Sequence, residues 1–499
     1  MTTPNPCNSC ATRQSQPAPH GTCPCCPSTI GRRRFLAGAG ASAAALQMGV
    51  LDFATSVMAG PAPRSPKPLI RAALVRPKDQ KGYWMTFTGP GYDAPARMAE
   101  FTRIMSDAAR QLDVRLEIHA EPVCDQAAAD QFLRRCEKSP PDGILLLLMC
   151  GLYWPGWEIM NHLVEKRGRV PTLMFAPVGT TFTAHHAKTR KAPLTFQAAT
   201  QDANWLADGV RMLATIGKMK RARVCILGGT KSEETQVPGL GVTLRRLPLG
   251  RWMDEFRKAP TSDEVRAIAN FYAKAAKKII EPKPADILNA AKFYVVARKI
   301  MAAENCQGIS VDCMPLIGRP GVPCGPCLAW SKLNDELLVG ACEADVDAIC
   351  SLLLAHSLLR RPGFMQDPVP NTINNTLIGA HCSCPTKLAG PDKPPAPLVL
   401  RSDNGTNYGC ATQVLWPVGE PATVMEFNGP KQIILGTGKV VSNIDTTVSG
   451  GCRTSVELEL DQGGDPRDYK GFHQLFLLGK WDRMIKAYGQ LAGIDVVPI

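Results

Sequence analysis

The chain has 499 residues, of which 45% are hydrophobic and 20% charged, and a formal charge of +13. Such a chain is a globular protein of two to four domains, well able to bury a core. Arg13, Arg32, Arg33 and Arg34 against Asp52 give the first 60 residues +3 of that charge, leaving +10 spread over the rest. The clusters at Lys188–Lys191 and Lys218–Arg223 are short and no binding motif accompanies them, so solvated basic faces are expected and nucleic-acid binding is not.

Residues 1–60 read as a leader rather than as fold. Gly31-Arg32-Arg33-Arg34-Phe35-Leu36, followed by an Ala/Gly-rich stretch to Gly60, is a twin-arginine signal, with Val57-Met58-Ala59 as a small-residue cleavage site. This predicts export of an already folded protein to the periplasm or another extracytoplasmic compartment. The apolar stretch is too short and too rich in Gly and Ala for a spanning helix, so no stable membrane insertion is expected. Cys7, Cys10, Cys23, Cys25 and Cys26 precede the signal among Pro, Ser, Thr and Gln. They are either a zinc-binding cluster or part of a disordered leader, and the absence of hydrophobic neighbours favours the second. Fourteen further cysteines are scattered through the chain without the framing of a disulfide scaffold.

From residue 61 to 221, strands at Leu69–Val75, Val114–Ala120, Gly143–Cys150 and Val170–Ala176 alternate with helices at Ala94–Leu112, Gln126–Cys136 and Trp157–Lys166. That alternation predicts a parallel sheet covered on both faces. No GxGxxG follows the first strand, so no dinucleotide site is indicated. The tandem His185 and His186 are expected at the surface. A helix over Asp202–Lys220 leads to a second unit of the same kind, residues 222–366, which opens with the strand RVCILGG and contains a helix-rich segment at Ser262–Ala303 and a strand at Gly308–Cys313. Asp312 ends that strand, where open α/β sheets place ligands, and is either a weak site candidate or a loop carboxylate.

Cys324-Gly325-Pro326-Cys327 matches the CGPC of thioredoxin-type redox pairs, with a helix over Leu328–Leu338 behind it. The preceding GRPGVP is wrong for the buried strand that such a site follows, which favours a structural loop. Next come Glu343 and Asp345, ahead of an apolar run from Val346 to Leu359 with helical spacing. Glu343 falls at or just before the helix start, where the backbone dipole favours a carboxylate. His356 within the run is expected to be a packed core residue. Asp367 follows a Pro-Gly break and the short strand or turn from Phe364, and His381 lies in GAHCSCP. Carboxylates and a histidine on separate loops are what a hard divalent cation can use. After Asp367, β-rich runs at Pro397–Arg401, Ala411–Trp416, Ala422–Phe427, Gln432–Val441 and Thr454–Leu460 predict a small antiparallel barrel or sandwich over residues 367–499. Arg453 is expected in a surface ion pair, although a substrate contact is the other reading. His473 follows, ahead of a last helix at Trp481–Ala492.

The segments ACEAD, GFMQD, GAHCSCP and GFHQLFLLGKWDRMIKAYGQLAGIDVV resemble the corresponding segments of the L-fucose isomerase and L-arabinose isomerase superfamily, from about Gly308 to the end. The resemblance implies that Glu343 and Asp367 bind Mn2+ and move protons, that His381 and His473 complete the metal site, and that the protein is a homo-oligomer. The family acid aligns with Gln366, so Asp367 serves from the next position. The implied architecture is two Rossmann-like α/β domains followed by a β-rich barrel domain, with the site at their junction. The implied chemistry is aldose–ketose isomerisation of a sugar through an enediol. The two other functions open to this sequence are an exported sugar- or metal-binding protein of the same fold, made credible by Gln366, and a thiol–disulfide oxidoreductase.

Overall fold

The computed structural model describes residues 66–79, 93–149, 156–177, 189, 191–404, 406–447 and 450–499. The twin-arginine stretch, Cys7, Cys10, Cys23, Cys25, Cys26, His185 and His186 lie outside these residues. The strand β3 (Gly143–Leu148, GILLLL) has no polar position to turn toward water, so it must be covered on both faces, and all six residues are buried. Around it β1 (Leu69–Val75), β2 (Arg115–Ile118), β4 (Thr172–Ala176) and β5 (Thr195–Ala199) form a parallel sheet in the order β2-β1-β3-β4-β5. Helices α1 (Ala94–Gln111), α2 (Gln126–Lys138) and α3 (Gly156–Lys166) alternate with these strands. Asp93 and Asp125 start α1 and α2 by accepting the free N–H three residues on. β5 goes beyond the expectation, because TFQAA is only partly buried and carries no apolar run.

The helix α4 (Asn204–Arg221) is buried along most of its length and leads straight into a second sheet. Side chains at Gly209 and Gly217 would strike Leu173 at 2.8 Å and Asp142 at 2.9 Å, so glycine is what permits this close packing. The second sheet holds β6 (Arg223–Leu227), β7 (Glu233–Gln236), β8 (Thr243–Leu247), β10 (Gly308–Val311) and β11 (Val339–Cys342), ordered β11-β10-β6-β8-β7. All neighbours are parallel except the exposed edge strand β7. The helix-rich segment is divided into α6 (Asp263–Ala275) and α7 (Pro284–Ala303) by the two-residue strand β9 (Lys278–Ile279), with α5 (Gly250–Lys258) before it and α8 (Cys327–Asp335) after.

The apolar helix α9 (Val346–Leu354) is shorter than its sequence pattern. Ala355–Leu359 widen into a π-turn that ends on Arg360 in the left-handed region, φ 50°. His356 lies in that turn, buried, with neither ring nitrogen hydrogen-bonded, and burial pushes its pKa down to about 3. It is a packed, neutral histidine.

Beyond α9 the chain becomes antiparallel. β12 (Phe364–Asn371), β13 (Thr376–His381), β16 (Pro421–Phe427), β17 (Gln432–Asn443), β18 (Thr454–Leu460) and β19 (Gln474–Leu478) pair in the order β16-β19-β12-β13-β18-β17, and β17 returns to β16 to close a six-stranded barrel. β20 (Asp495–Pro498) adds to β17 in parallel after the helix α10 (Asp482–Ala492). Two expected strands stay outside the barrel. β14 (Leu398–Arg401) and β15 (Ala411–Val414) pair with each other and with β9. Arg401 explains the diversion, since its guanidinium bonds Glu281 beside β9 at 2.8–3.0 Å, a pairing worth burying only if both charges stay matched. Among the described residues no helix is long and apolar enough to cross a membrane.

Candidate metal centre

Strands β19, β12 and β13 lie side by side, and their register fixes what meets at one rim of the barrel. Gln366 pairs with Gln474, which sets Asp367 level with His473. Asp367 in turn pairs with Ala380, next to His381 at the end of β13. Alternation along β12 decides which acid or amide faces the rim. Phe364 packs in the barrel core against Phe476, and Gln366, on the same face, is fully buried and bonds the Gln474 amide at 3.1 Å. Met365 and Asp367 therefore point out of the barrel toward the second sheet, where the Met365 sulfur accepts from the Cys342 N–H. Asp367, one place past the family's acid position, is the residue that faces His473.

Glu343 arrives from the other side, on the turn between β11 and α9. It sits two residues ahead of the helix cap, which is Asp345. Glu343 and Ala344 are both left-handed, φ 61° and 58°, a conformation that costs roughly 1–3 kcal/mol for each non-glycine residue and persists only where neighbours impose it. Here Glu343 N–H donates to the Val311 carbonyl at 2.9 Å, and Ala344 N–H donates at 3.1 Å to the Ser310 hydroxyl, which itself reaches the Cys342 carbonyl. The turn thus throws the Glu343 carboxylate at the barrel rim. Its oxygens lie 3.9 Å from His381 Nε2 and 3.7 Å from His473 Nε2, and His473 Nε2 lies 3.2 Å from Asp367 Oδ1. One ligand atom each from Glu343, His381 and His473 fall within 4.8 Å of one another.

The electrostatics centre on His473. Burial pulls its pKa down, but the carboxylates of Asp345, 2.7 Å from Nδ1, and Asp367 outweigh it and raise the value to about 9. The Asp345 carboxyl is pushed up by burial, yet the His473 ring and the Ala348 N–H hold it below its usual range. The loop before His473 is fixed by Glu426 on β16, which accepts from Phe472 N–H at 3.1 Å. A side chain at Gly471 (φ 97°) would collide with that carboxylate. Burial drives the pKa of Glu426 up to about 7. From sequence, Asp345 stands only beside Glu343 ahead of the apolar run and Glu426 only within a strand, so neither is a site candidate there, and the cap expected near Glu343 is Asp345.

This donor set fits a hard divalent cation. The grouped donors are one carboxylate, Glu343, and two imidazoles, with Asp367 beside them against His473, and the buried Nε2 of His473 has no well-directed hydrogen bond despite that neighbour. The remaining candidates fall elsewhere. Asp312 is half-buried beyond β10 and is not part of the grouped ligands. Arg453 corrects its surface assignment. It is fully buried and donates to the carbonyls of Ser402, Asp403 and Thr447, so it braces the chain after β14. Cys324 and Cys327 are both buried; desolvation raises the first thiol and a hydrogen bond with Cys382 the second, the reverse of what a thiolate nucleophile needs.

No protein-family model matches the chain. Two curated relatives do. A sulfoquinovose isomerase of Alkalicoccus urumqiensis is 25% identical over 247 residues, which is 45% of this chain and 53% of the relative. A sulfoquinovose isomerase of Clostridium sp. (strain MSTE9) is 28% identical over 145 residues, 28% of this chain and 32% of the relative. The chain is similar to sugar isomerases over part of its length. It spans about half the length of the first relative and about a third of the second.

Proposed function

We propose that the protein is a divalent-metal-dependent aldose–ketose isomerase. The observation that carries this reading is the convergence of Glu343, Asp367, His381 and His473 from four separate segments, with the similarity to two sugar isomerases in support. These four residues would hold the cation, Mn2+ by the family resemblance. When bound it supplies Lewis-acid polarisation of the sugar oxygens. One carboxylate takes the proton from C2 of the open-chain aldose and returns it at C1, while the other serves the hydroxyl protons. Glu343 and Asp367 are that pair. Asp345 orients the His473 ring, and Glu426 holds the loop that presents it. Sulfoquinovose is the first sugar to test, because both relatives are named for it. Export by the twin-arginine route, supported by Gly31–Leu36, and assembly as a homo-oligomer, supported by the family resemblance, belong to the same proposal.

The test is solvent deuterium entering C1 or C2 of an aldose in the presence of Mn2+. Glu343→Gln keeps the shape but removes the charge and the base, so exchange should fall by a factor on the order of 10²–10⁴ while the fold survives. Exchange at the parent rate in a folded Gln variant would refute the assignment. Metal binding with no exchange of any aldose would instead favour a non-catalytic binding protein.

A further inference from the structure

The two histidines of the centre are held differently. His473 has a carboxylate on Nδ1, the 2.7 Å contact with Asp345, which keeps a proton on that nitrogen and leaves Nε2 facing the other donors. His381 has no carboxylate behind it among the described residues. Its Nδ1 lies 3.0 Å from the Cys382 backbone N–H and 3.1 Å from the Ser383 hydroxyl oxygen, in a setting where Ser383 is 2% exposed.

Those two neighbours are not equivalent. A backbone N–H only donates, so it favours the tautomer with a lone pair on Nδ1 and the proton on Nε2, directed at Glu343. An imidazole in that state has no lone pair on Nε2, the nitrogen that faces Glu343, to give a cation. To become a ligand through Nε2, the ring must carry its proton on Nδ1, and that N–H needs an acceptor in a buried place where water cannot supply one. The Ser383 hydroxyl is the neighbour that can turn from donor to acceptor.

We propose that Ser383 is the positioning residue that converts His381 into a metal ligand, by accepting the Nδ1–H that frees Nε2. The inference rests on the reading of Glu343, Asp367, His381 and His473 as a cation site. Its measurement is Mn2+ affinity by calorimetry, with melting temperature alongside. Ser383→Ala should weaken Mn2+ binding about 10–100-fold, the usual cost of losing a partner behind a ligating histidine. Ser383→Thr, which keeps the hydroxyl, should restore most of it. A merely structural serine would shift the melting temperature and leave the affinity alone, and parent affinity in a folded Ala variant overturns the proposal.

A second readout needs no substitution. In the ¹⁵N-labelled parent, adding diamagnetic Cd2+ should move the His381 proton from Nε2 to Nδ1. If His473 responds to Cd2+ while His381 keeps its Nε2–H, the proposal fails even if the Ala variant cannot be folded. If the parent binds neither Mn2+ nor Cd2+, the cation-site reading itself falls and takes this inference with it.

Discussion

Asp367 and Gln366 are neighbours in sequence and opposites in environment, and their substitution should separate them. Asp367→Asn removes a charge at the rim, so turnover should drop by a factor on the order of 10²–10⁴ with little change in melting temperature. Gln366→Glu places a carboxylate inside the barrel beside the Gln474 amide, where an unpaired charge costs several kcal/mol. That variant should melt lower and gain no metal affinity; a gain would mean that the family position still reaches the site. His473 carries a pH prediction. In the metal-free protein its pKa of about 9 lies above the ordinary value near 6.5, so its stabilising contact with Asp345 and Asp367 is complete below about pH 6.5 and is lost as pH rises through about 9. The same proton must leave before Nε2 can hold a cation. Mn2+ affinity should therefore keep rising between about pH 7 and about pH 9, measured by calorimetry across that range; a plateau from about pH 7 would count against it. The site acids and histidines were legible as residue types in separate loops. The partner of His473 was not, because Asp345 is 128 residues away and looks like an ordinary cap.

At the start of α9 one side chain does two jobs that can be pulled apart. Asp345 caps the helix through the Ala348 N–H and holds His473 Nδ1. Asp345→Ala should lose about 1 kcal/mol of stability from the cap and about 10–100-fold in metal affinity from the histidine. Asp345→Ser restores a cap but is too short and uncharged to serve the ring. Denaturant melts should recover with Ser while Mn2+ affinity does not; recovery of both would mean that capping alone accounts for Asp345. Elements with strong patterns were readable from sequence. β3 is apolar throughout and α1 alternates with helical spacing, so both lie close to where composition placed them. β5 and β7 were hidden, since TFQAA and EETQ have no buried run to betray them. β14 and β15 were visible as strands but not as outsiders to the barrel. Alternation reports that a strand has an inner face and says nothing of which sheet receives it, a choice made here by Arg401 and Glu281.

Across the whole molecule, the site joins the turn after β11 to three strands of the barrel. A cation held there binds the folded state and not the unfolded chain. At 100 times its dissociation constant, Mn2+ should stabilise the fold by about 2.7 kcal/mol, read as a rise in melting temperature that a chelator reverses. An unchanged melting temperature at saturating Mn2+ would argue against a site built from both parts. The alternation of strands and helices, and then the change to short β-rich runs, made the broad class legible. Closure of the barrel was not, because β16 meets both β17 and β19 and the latter lies nearly fifty residues on. That closure sets an order of events during synthesis. The ribosome releases Glu343, Asp367 and His381 first, but His473 only just before β19, the strand that fills the gap between β12 and β16. A nascent chain halted earlier carries Glu343, Asp367 and His381 without His473, and an Asp345 that caps α9 but has no imidazole to hold. On the proposed reading, cation capture belongs to the finished molecule and follows delivery of the last barrel strand.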